Sequence, residues 1–338
     1  MTTAMRLLDL LAGPPGVDGF LEQVRPTWSR RDCRAEVTGV RRLTTDTITL
    51  TLRPNRAWQG FRAGQFIQVG VEIDGVRRVR CYSPASAADA ARELELTVKS
   101  HPEGLVSNFL IERAQPGMLL DLEQAAGDFH LPDELPKRVL MISAGSGITP
   151  VMSMLRTLCA SNYLGEVTFL HFAPDPERAI YREDLDRIAE DHPNVSLVRS
   201  YTRAPGLGEA DGHFSDALLK QAAPDYTRAE TFACGPPGLL DAVREQWAAD
   251  RLESRLHVES FVPPTLAPAS GVAEGSIHFA DSDLRLNNSG ASLLEQAEGA
   301  GLTPKTGCRM GICHTCSCRK QAGTVRNLAT GEVSSDEV

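Results

Sequence analysis

At 338 residues, 42% of them hydrophobic, the chain is long enough for two or three separately cored domains. Its net charge of −9 is carried without any block of like sign, which excludes the basic stripe of a nucleic-acid-binding protein. Eight cysteines, four scattered and four between positions 308 and 318, exclude a secreted disulfide framework and point to metal ligation in a reducing, cytosolic setting.

Residues 1–33 read as an N-terminal extension. Leu7, Leu8, Leu10 and Leu11 predict a short amphipathic helix ended by Gly13-Pro14-Pro15, and Asp9 breaks the apolar run that a signal peptide needs. Packing on its own protein is the plain reading of that helix; docking to a partner or to the inner face of a membrane is the sharper one. Residues 34–133 are strand-like. "EVTGVRRLTTDTITLTLRP", "GQFIQVGVEIDGVRRVRCYS" and "RELELTVKS" predict an antiparallel β-barrel, with Asp74-Gly75 as a hairpin turn. Over 136–262 the runs "RVLMIS", "EVTFLHF", "NVSLVRSY" and "ETFACG" alternate with helical stretches, which predicts an α/β domain on a parallel sheet. The longest uncharged run, Val139–Leu155, holds Gly145, Gly147 and Pro150, so it reads as strand, loop and helix and not as a membrane span. Residues 263–274 form a Pro/Ala/Gly-rich linker. The last stretch, 275–338, predicts two short strands, a helix around Ser292–Ala300 and a cysteine loop.

Three short motifs carry chemistry. In "VLMISAGSGITPVMSML" a buried strand ends in Gly145-Ser146-Gly147 and Pro150 stands in the first turn of the next helix, a context that favours dinucleotide binding at the helix N-terminus. In "RVRCYSPAS" Arg80 and Tyr82 are two apart and share one face of a strand, a cation beside a ring that suits a planar, phosphate-bearing ligand. In "EGLVSNFLIERA" Gly104 allows close backbone approach and Ser107 is expected to cap a short helix. Taken singly, each is also an ordinary barrel edge, capped helix or α/β turn.

In order along the chain, Arg80-Cys81-Tyr82-Ser83, Val98-Lys99, Gly104 to Leu110, Gly145 to Pro150 and Cys234-Gly235-Pro236 resemble the ferredoxin–NADP reductase superfamily. The resemblance implies that Arg80 contacts a flavin phosphate, with Tyr82 along the isoalloxazine and Ser83 hydrogen-bonding near flavin N5; Cys81, within the same motif, counts among the cofactor-binding residues. It implies that the backbone of Val98 and Lys99 lines the ring edge, and that Gly104, Val106 and Ser107 hold the pyrophosphate. Gly145, Gly147 and Thr149 would then sit by NADPH or NADH, and Cys234 by the reacting nicotinamide carbon. Phe261 would cover the flavin, with Glu259 nearby. Ser83, Cys234 and Phe261 are thus the catalytic candidates, although Cys234 also reads as a small buried hydrophobe and Phe261 as core. "GLVSNFL" resembles the segment of FAD-binding relatives, so FAD is expected over FMN. Thr202-Arg203 resembles the pair that grips a 2′-phosphate, which tilts the choice to NADPH against the alternative of a solvated arginine.

"KTGCRMGICHTCSCRK" resembles the cluster loop of plant-type ferredoxins, with Cys308, Cys313 and Cys316 as thiolate ligands of a [2Fe–2S] cluster in a β-grasp domain. In such ferredoxins a fourth cysteine follows about thirty residues after the third. Three explanations stand: Cys318 substitutes, or zinc is held by Cys308, Cys313, His314, Cys316 and Cys318, or the sequence continues with a further strand and cysteine. The last is the expectation, with Cys318 a structural thiol.

The domain order resembles reductase components of bacterial oxygenases and desaturases. The extension and "CRMGICHTCSCRK" look most like reductases of membrane-bound fatty-acyl desaturases, so electron delivery from NAD(P)H through FAD and the cluster to an acyl desaturase is the first expectation. A hydroxylase or ring-hydroxylating dioxygenase is the second. A metal-stabilised interaction module on a degenerate reductase scaffold is the alternative of another class.

Overall fold

The structure is a computed structural model, and it describes residues 27–29, 32–88, 93–102, 104–261, 275–304, 316–326 and 333–335. The expected helix at Leu7–Leu11 and the linker 263–274 lie outside the described residues. The chain divides into two compact units, Met1–Phe261 and Val262–Val338.

The first unit opens with six antiparallel strands: β1 (Arg34–Thr44), β2 (Thr47–Pro54), β3 (Ile67–Ile73), β4 (Val76–Tyr82), β5 (Leu94–Lys99) and β6 (Leu119–Leu122), in the order β4-β3-β6-β1-β2-β5. An isolated antiparallel bridge from Pro84 to Leu96 joins the two edges and closes the sheet into a barrel. Strand periodicity explains its core. On β5 Leu94, Leu96 and Val98 are buried inside the barrel, while Glu95, Thr97 and Lys99 face outward. The β3–β4 hairpin turns through Asp74 (φ 53°) and Gly75 (φ 73°), the left-handed pair that a type I′ turn demands. Helix α1 (Leu105–Arg113) lies between β5 and β6.

A parallel sheet follows, β7 (Arg138–Ala144), β8 (Glu166–Ala173), β9 (Val195–Tyr201), β10 (Ala210–Asp211), β11 (Glu230–Cys234) and β12 (Leu256–Glu259), ordered β10-β9-β8-β7-β11-β12. Helices α2 (Ile148–Ala160), α3 (Arg182–Asp191), α4 (Asp216–Ala222) and α5 (Pro237–Ala249) connect the strands. Both faces are covered, as an all-parallel sheet requires. Val139 and Met141 of β7 point into a core shared with α2 and with Ala63, Ala85 and Phe129 of the barrel segment, and Leu140 and Ile142 point into a second core with Trp247 of α5. Strand order reverses between β7 and β11, so a crevice opens at their carboxyl ends.

In the second unit β13 (Ser276–Phe279) and β14 (Leu284–Asn287) form an antiparallel pair. Helix α6 (Leu293–Gly299) starts from a reciprocal capping box between Ser292 and Glu295. A two-residue pair, β15 (Val325–Arg326) with β16 (Val333–Ser334), completes the described elements. Among the described residues no helix is long and apolar enough to cross a membrane.

Candidate functional site

At the switch point of the parallel sheet, register aligns a row of polar residues. His171 of β8 pairs with Ser143 of β7, Ser143 with Cys234 of β11, and Cys234 with Glu259 of β12. Residues in register share a face of the sheet. Ser143 and Cys234 stand two residues past Met141 and Phe232, so this is the face packed toward the barrel. His171, Ser143 and Cys234 are buried, Glu259 is half-buried with a shielded Oε2, and the row is only partly satisfied. His171 Nδ1 meets Ser143 Oγ at 2.8 Å, while its Nε2 has no hydrogen-bond partner. Burial, helped by the Arg199 charge, lowers its pKa to about 4, so the imidazole is neutral at ordinary pH. Glu259 Oε2 is likewise unpartnered, and burial lifts that carboxyl to about 8. Burial and the neighbouring Glu259 charge hold the Cys234 thiol well above its usual range, so it stands there as a neutral thiol and not as a nucleophile.

Directly beside the row, residues Gly145–Gly147 form a single 3₁₀ turn before α2. Its two glycines serve different needs. Gly145 has φ 54°, a conformation costly for any side chain, with open space around it. A Cβ on Gly147 would come within 2.3 Å of the Cys234 carbonyl oxygen, so this glycine is required by the close approach of loop and strand end. Thr149 is buried and its Oγ1 donates to the Ser146 carbonyl at 3.2 Å, and Pro150 stands in the first turn of α2 as expected. Strand β5 lies alongside this turn, which brings Val98 and Lys99 toward the crevice. Val98 is buried inside the barrel and offers only its backbone; Lys99 pairs with Asp46 at 3.5 Å.

The barrel contributes the remaining groups. Arg80 is exposed, donates to the Val79 carbonyl at 2.7 Å, and pairs with no carboxylate among the described residues. Cys81 and Tyr82 are half-buried, and burial raises the Tyr82 phenol. Ser83 is almost fully buried with an Oγ that has no partner. The expected cap on α1 needs correction: Ser107 lies inside the helix and donates back to the Gly104 carbonyl at 3.1 Å. Gly104 is the N-cap, with neither a side-chain cap nor an acid in the first turn. The helix therefore begins three residues earlier than the serine suggests, and its leading N–H groups are left for an anion. Val106 sends its side chain into the barrel core, so it too offers backbone. Uncapped helix, unpaired guanidinium and orphaned serine hydroxyl fit a flavin carrying a pyrophosphate.

Phe261, half-buried, packs on the core that contains Cys234. Arg203 follows β9, where its backbone N–H donates to Pro174 at 2.8 Å; its guanidinium is exposed and engages no partner among the described residues. It stands apart from the row of polar residues, at the β9 side of the crevice. Of the cluster candidates, Cys316 is half-buried and Cys318 exposed, while Cys308 and Cys313 lie outside the described residues. Nothing in the local sequence pattern marks Tyr181, and little marks His171. The one signal for His171 was a titratable residue inside "EVTFLHF", an otherwise apolar run of a doubly covered strand.

Comparison with known proteins gives each part a match. Residues 34–131 match the oxidoreductase FAD-binding domain, 141–245 the oxidoreductase NAD-binding domain and 277–338 the 2Fe-2S iron-sulfur cluster binding domain. The chain is 39% identical over 320 residues to an NADPH oxidoreductase of Mycobacterium tuberculosis, covering 93% of this chain and 82% of the relative. It is 31% identical over 300 residues to the glycine betaine monooxygenase reductase subunit of Chromohalobacter salexigens, covering 82% of each. Phthalate dioxygenase reductase superposes with a TM-score of 0.61 at 21% identity, over 87% of this chain and 88% of that one, a likeness of fold.

Proposed function

Because the chain belongs to the family of reductases that join FAD-binding, NAD-binding and 2Fe-2S domains in one polypeptide, we propose that its crevice passes reducing equivalents from NADPH to an oxygenase. It is an NAD(P)H-dependent flavoprotein oxidoreductase. FAD, when bound there, would supply the chemistry that accepts one hydride, an electron pair, and releases its electrons singly to an iron–sulfur centre. The chain's own residues bind and orient. Leading N–H groups of α1 and the Arg80 guanidinium would hold the pyrophosphate of that flavin, with Tyr82 beside its ring and Ser83 Oγ as a hydrogen-bond donor to it. Backbone groups of Val98 and Lys99 line the ring edge. Gly145, Gly147 and Thr149 would place the nicotinamide, Cys234 and Glu259 would lie beside it, and Phe261 would cover the flavin. The observation that carries this reading is the uncapped N-terminus of α1, a helix that contacts β4, together with an Arg80 that pairs with no carboxylate among the described residues and an orphaned Ser83 Oγ.

Arg203 supports NADPH over NADH, since a guanidinium without a carboxylate partner at the end of a sheet strand suits a 2′-phosphate. For the acceptor, similarity to a monooxygenase reductase subunit favours a hydroxylase or ring-hydroxylating oxygenase over the fatty-acyl desaturase that the sequence suggested first. Cys308, Cys313 and Cys316 would hold the cluster. Reconstitution with purified acceptors tests the reading: NADPH-driven turnover of an oxygenase component is expected. Turnover of a desaturase alone would restore the first expectation, and protein without flavin absorbance would favour a degenerate scaffold.

A further inference from the structure

The barrel and the parallel sheet meet along the outward face of β5, and this seam is polar. Glu95 pairs with Arg156 of α2 at 2.8 Å, and the same guanidinium reaches Asp184 of α3 at 3.2 Å and the Ala85 carbonyl at 2.8 Å. Two residues on, Thr97 Oγ1 is hydrogen-bonded to the Tyr181 hydroxyl and to Thr49 Oγ1, the latter at 2.8 Å. Tyr181 is held from every side. It is 2% exposed, and the Arg156 guanidinium lies 4.9 Å over its ring. Its backbone sits at φ 62° and ψ 23° as the N-cap residue of α3. A bulky residue adopts that left-handed conformation only where its surroundings over-determine it, and such positions cluster where geometry matters to function. The strand so fastened runs directly on into Val98 and Lys99 and lies alongside the Gly145–Gly147 turn.

We propose that Tyr181 is a positioning residue for hydride transfer: through Thr97 its hydroxyl ties β5 to the nucleotide domain and fixes the flavin-facing backbone of Val98 and Lys99 against the Gly145–Gly147 turn. This rests on the function proposed above. A misplacement of about 1 Å far from the reacting atoms is enough to slow a transfer by about a hundredfold. The hydroxyl, not the ring, is the tie, because the ring is retained by burial and by Arg156.

Tyr181→Phe removes the bond while keeping the buried volume, and Thr97→Val removes it together with the Thr49 bond. Thr49→Val removes the Thr49 bond alone and is expected to leave both readouts at the wild-type level, and Tyr163→Phe removes a tyrosine hydroxyl bond to Pro136 elsewhere in the domain as a control. Two readouts are needed. In the protein as purified, hydrogen exchange of the 94–99 peptide is expected to rise several-fold in the first two variants, with the 138–144 peptide unchanged. In holoprotein, the limiting rate of flavin reduction by NADPH under anaerobic stopped flow is expected to fall about tenfold or more in each, and no further in the double variant. FAD content, NADPH affinity and reoxidation of photoreduced flavin are expected to stay at the wild-type level, as is every readout in Tyr163→Phe. Wild-type exchange and wild-type reduction rates in both variants would overturn the proposal; so would additive losses, or a loss of FAD that slows reoxidation as well. If Tyr181→Phe does not fold, Thr97→Val carries the same test. A wild-type protein that NADPH fails to reduce would sink the functional reading instead, and the exchange result would still decide whether the tie exists.

Discussion

Cys234 and Glu259 are registered partners at the carboxyl ends of β11 and β12, a buried thiol beside a half-buried carboxyl whose shielded Oε2 is unpartnered. Burial keeps the folded-state pKa of Glu259 near 8, above its ordinary 4.5. The contribution of its neutral form is therefore complete below pH 4.5 and is lost as pH climbs toward 8. Glu259→Gln should melt at a higher temperature than wild type at pH 8, with the gap closing by pH 5. A pH-independent gap in calorimetry would show that the carboxyl is not held neutral.

Removing Arg80 should weaken flavin retention. A charge-assisted hydrogen bond is worth about 1.5–3 kcal/mol, so Arg80→Ala should bind FAD about 10- to 100-fold less tightly, by fluorescence titration of flavin-free protein. Gly104→Val should do at least as much damage, because a Cβ there would lie 2.2 Å from Ser107 Oγ at the head of α1. Wild-type affinity in both variants would remove the pyrophosphate from this place.

Arg203 should govern the choice of nucleotide. Arg203→Ala is expected to raise KM for NADPH by about tenfold or more, the worth of one charge-assisted contact, and to leave KM for NADH unchanged. Equal changes with both nucleotides would make it a surface residue.

The cysteines separate cleanly by experiment. Cys316→Ser should abolish the visible absorbance and the electron paramagnetic signal of the cluster while flavin reduction by NADPH persists. Cys318, which is exposed, should be replaceable by serine with the cluster intact. Loss of the cluster in Cys318→Ser would make that residue a ligand.

Local pattern made much of this architecture legible. Alternation on β5 separates Leu94, Leu96 and Val98 from Glu95, Thr97 and Lys99, and Asp74-Gly75 specifies its own turn. The start of α1 misled for a local reason as well: Ser107 has the chemistry of a cap, but the turn begins at Gly104 and the hydroxyl bonds backward. What the sequence could not display is long-range register. Thr97 and Tyr181 are 84 residues apart, and the row from His171 to Glu259 exists only once four parallel strands are aligned. Burial itself does not separate the two readings of Cys234 and Phe261, since a core residue and one that walls a nicotinamide site are equally shielded.

Anaerobic titration with NADPH, followed by visible absorbance and electron paramagnetic resonance, tests the central claim most directly. The account requires the yellow flavin absorbance to bleach and the reduced [2Fe–2S] signal to grow in after it, both complete at about 1.5 equivalents of NADPH, since flavin takes two electrons, the cluster one, and each NADPH gives two. Absorbance that NADPH leaves untouched, or a flavin that bleaches while the cluster never becomes reduced, would contradict it.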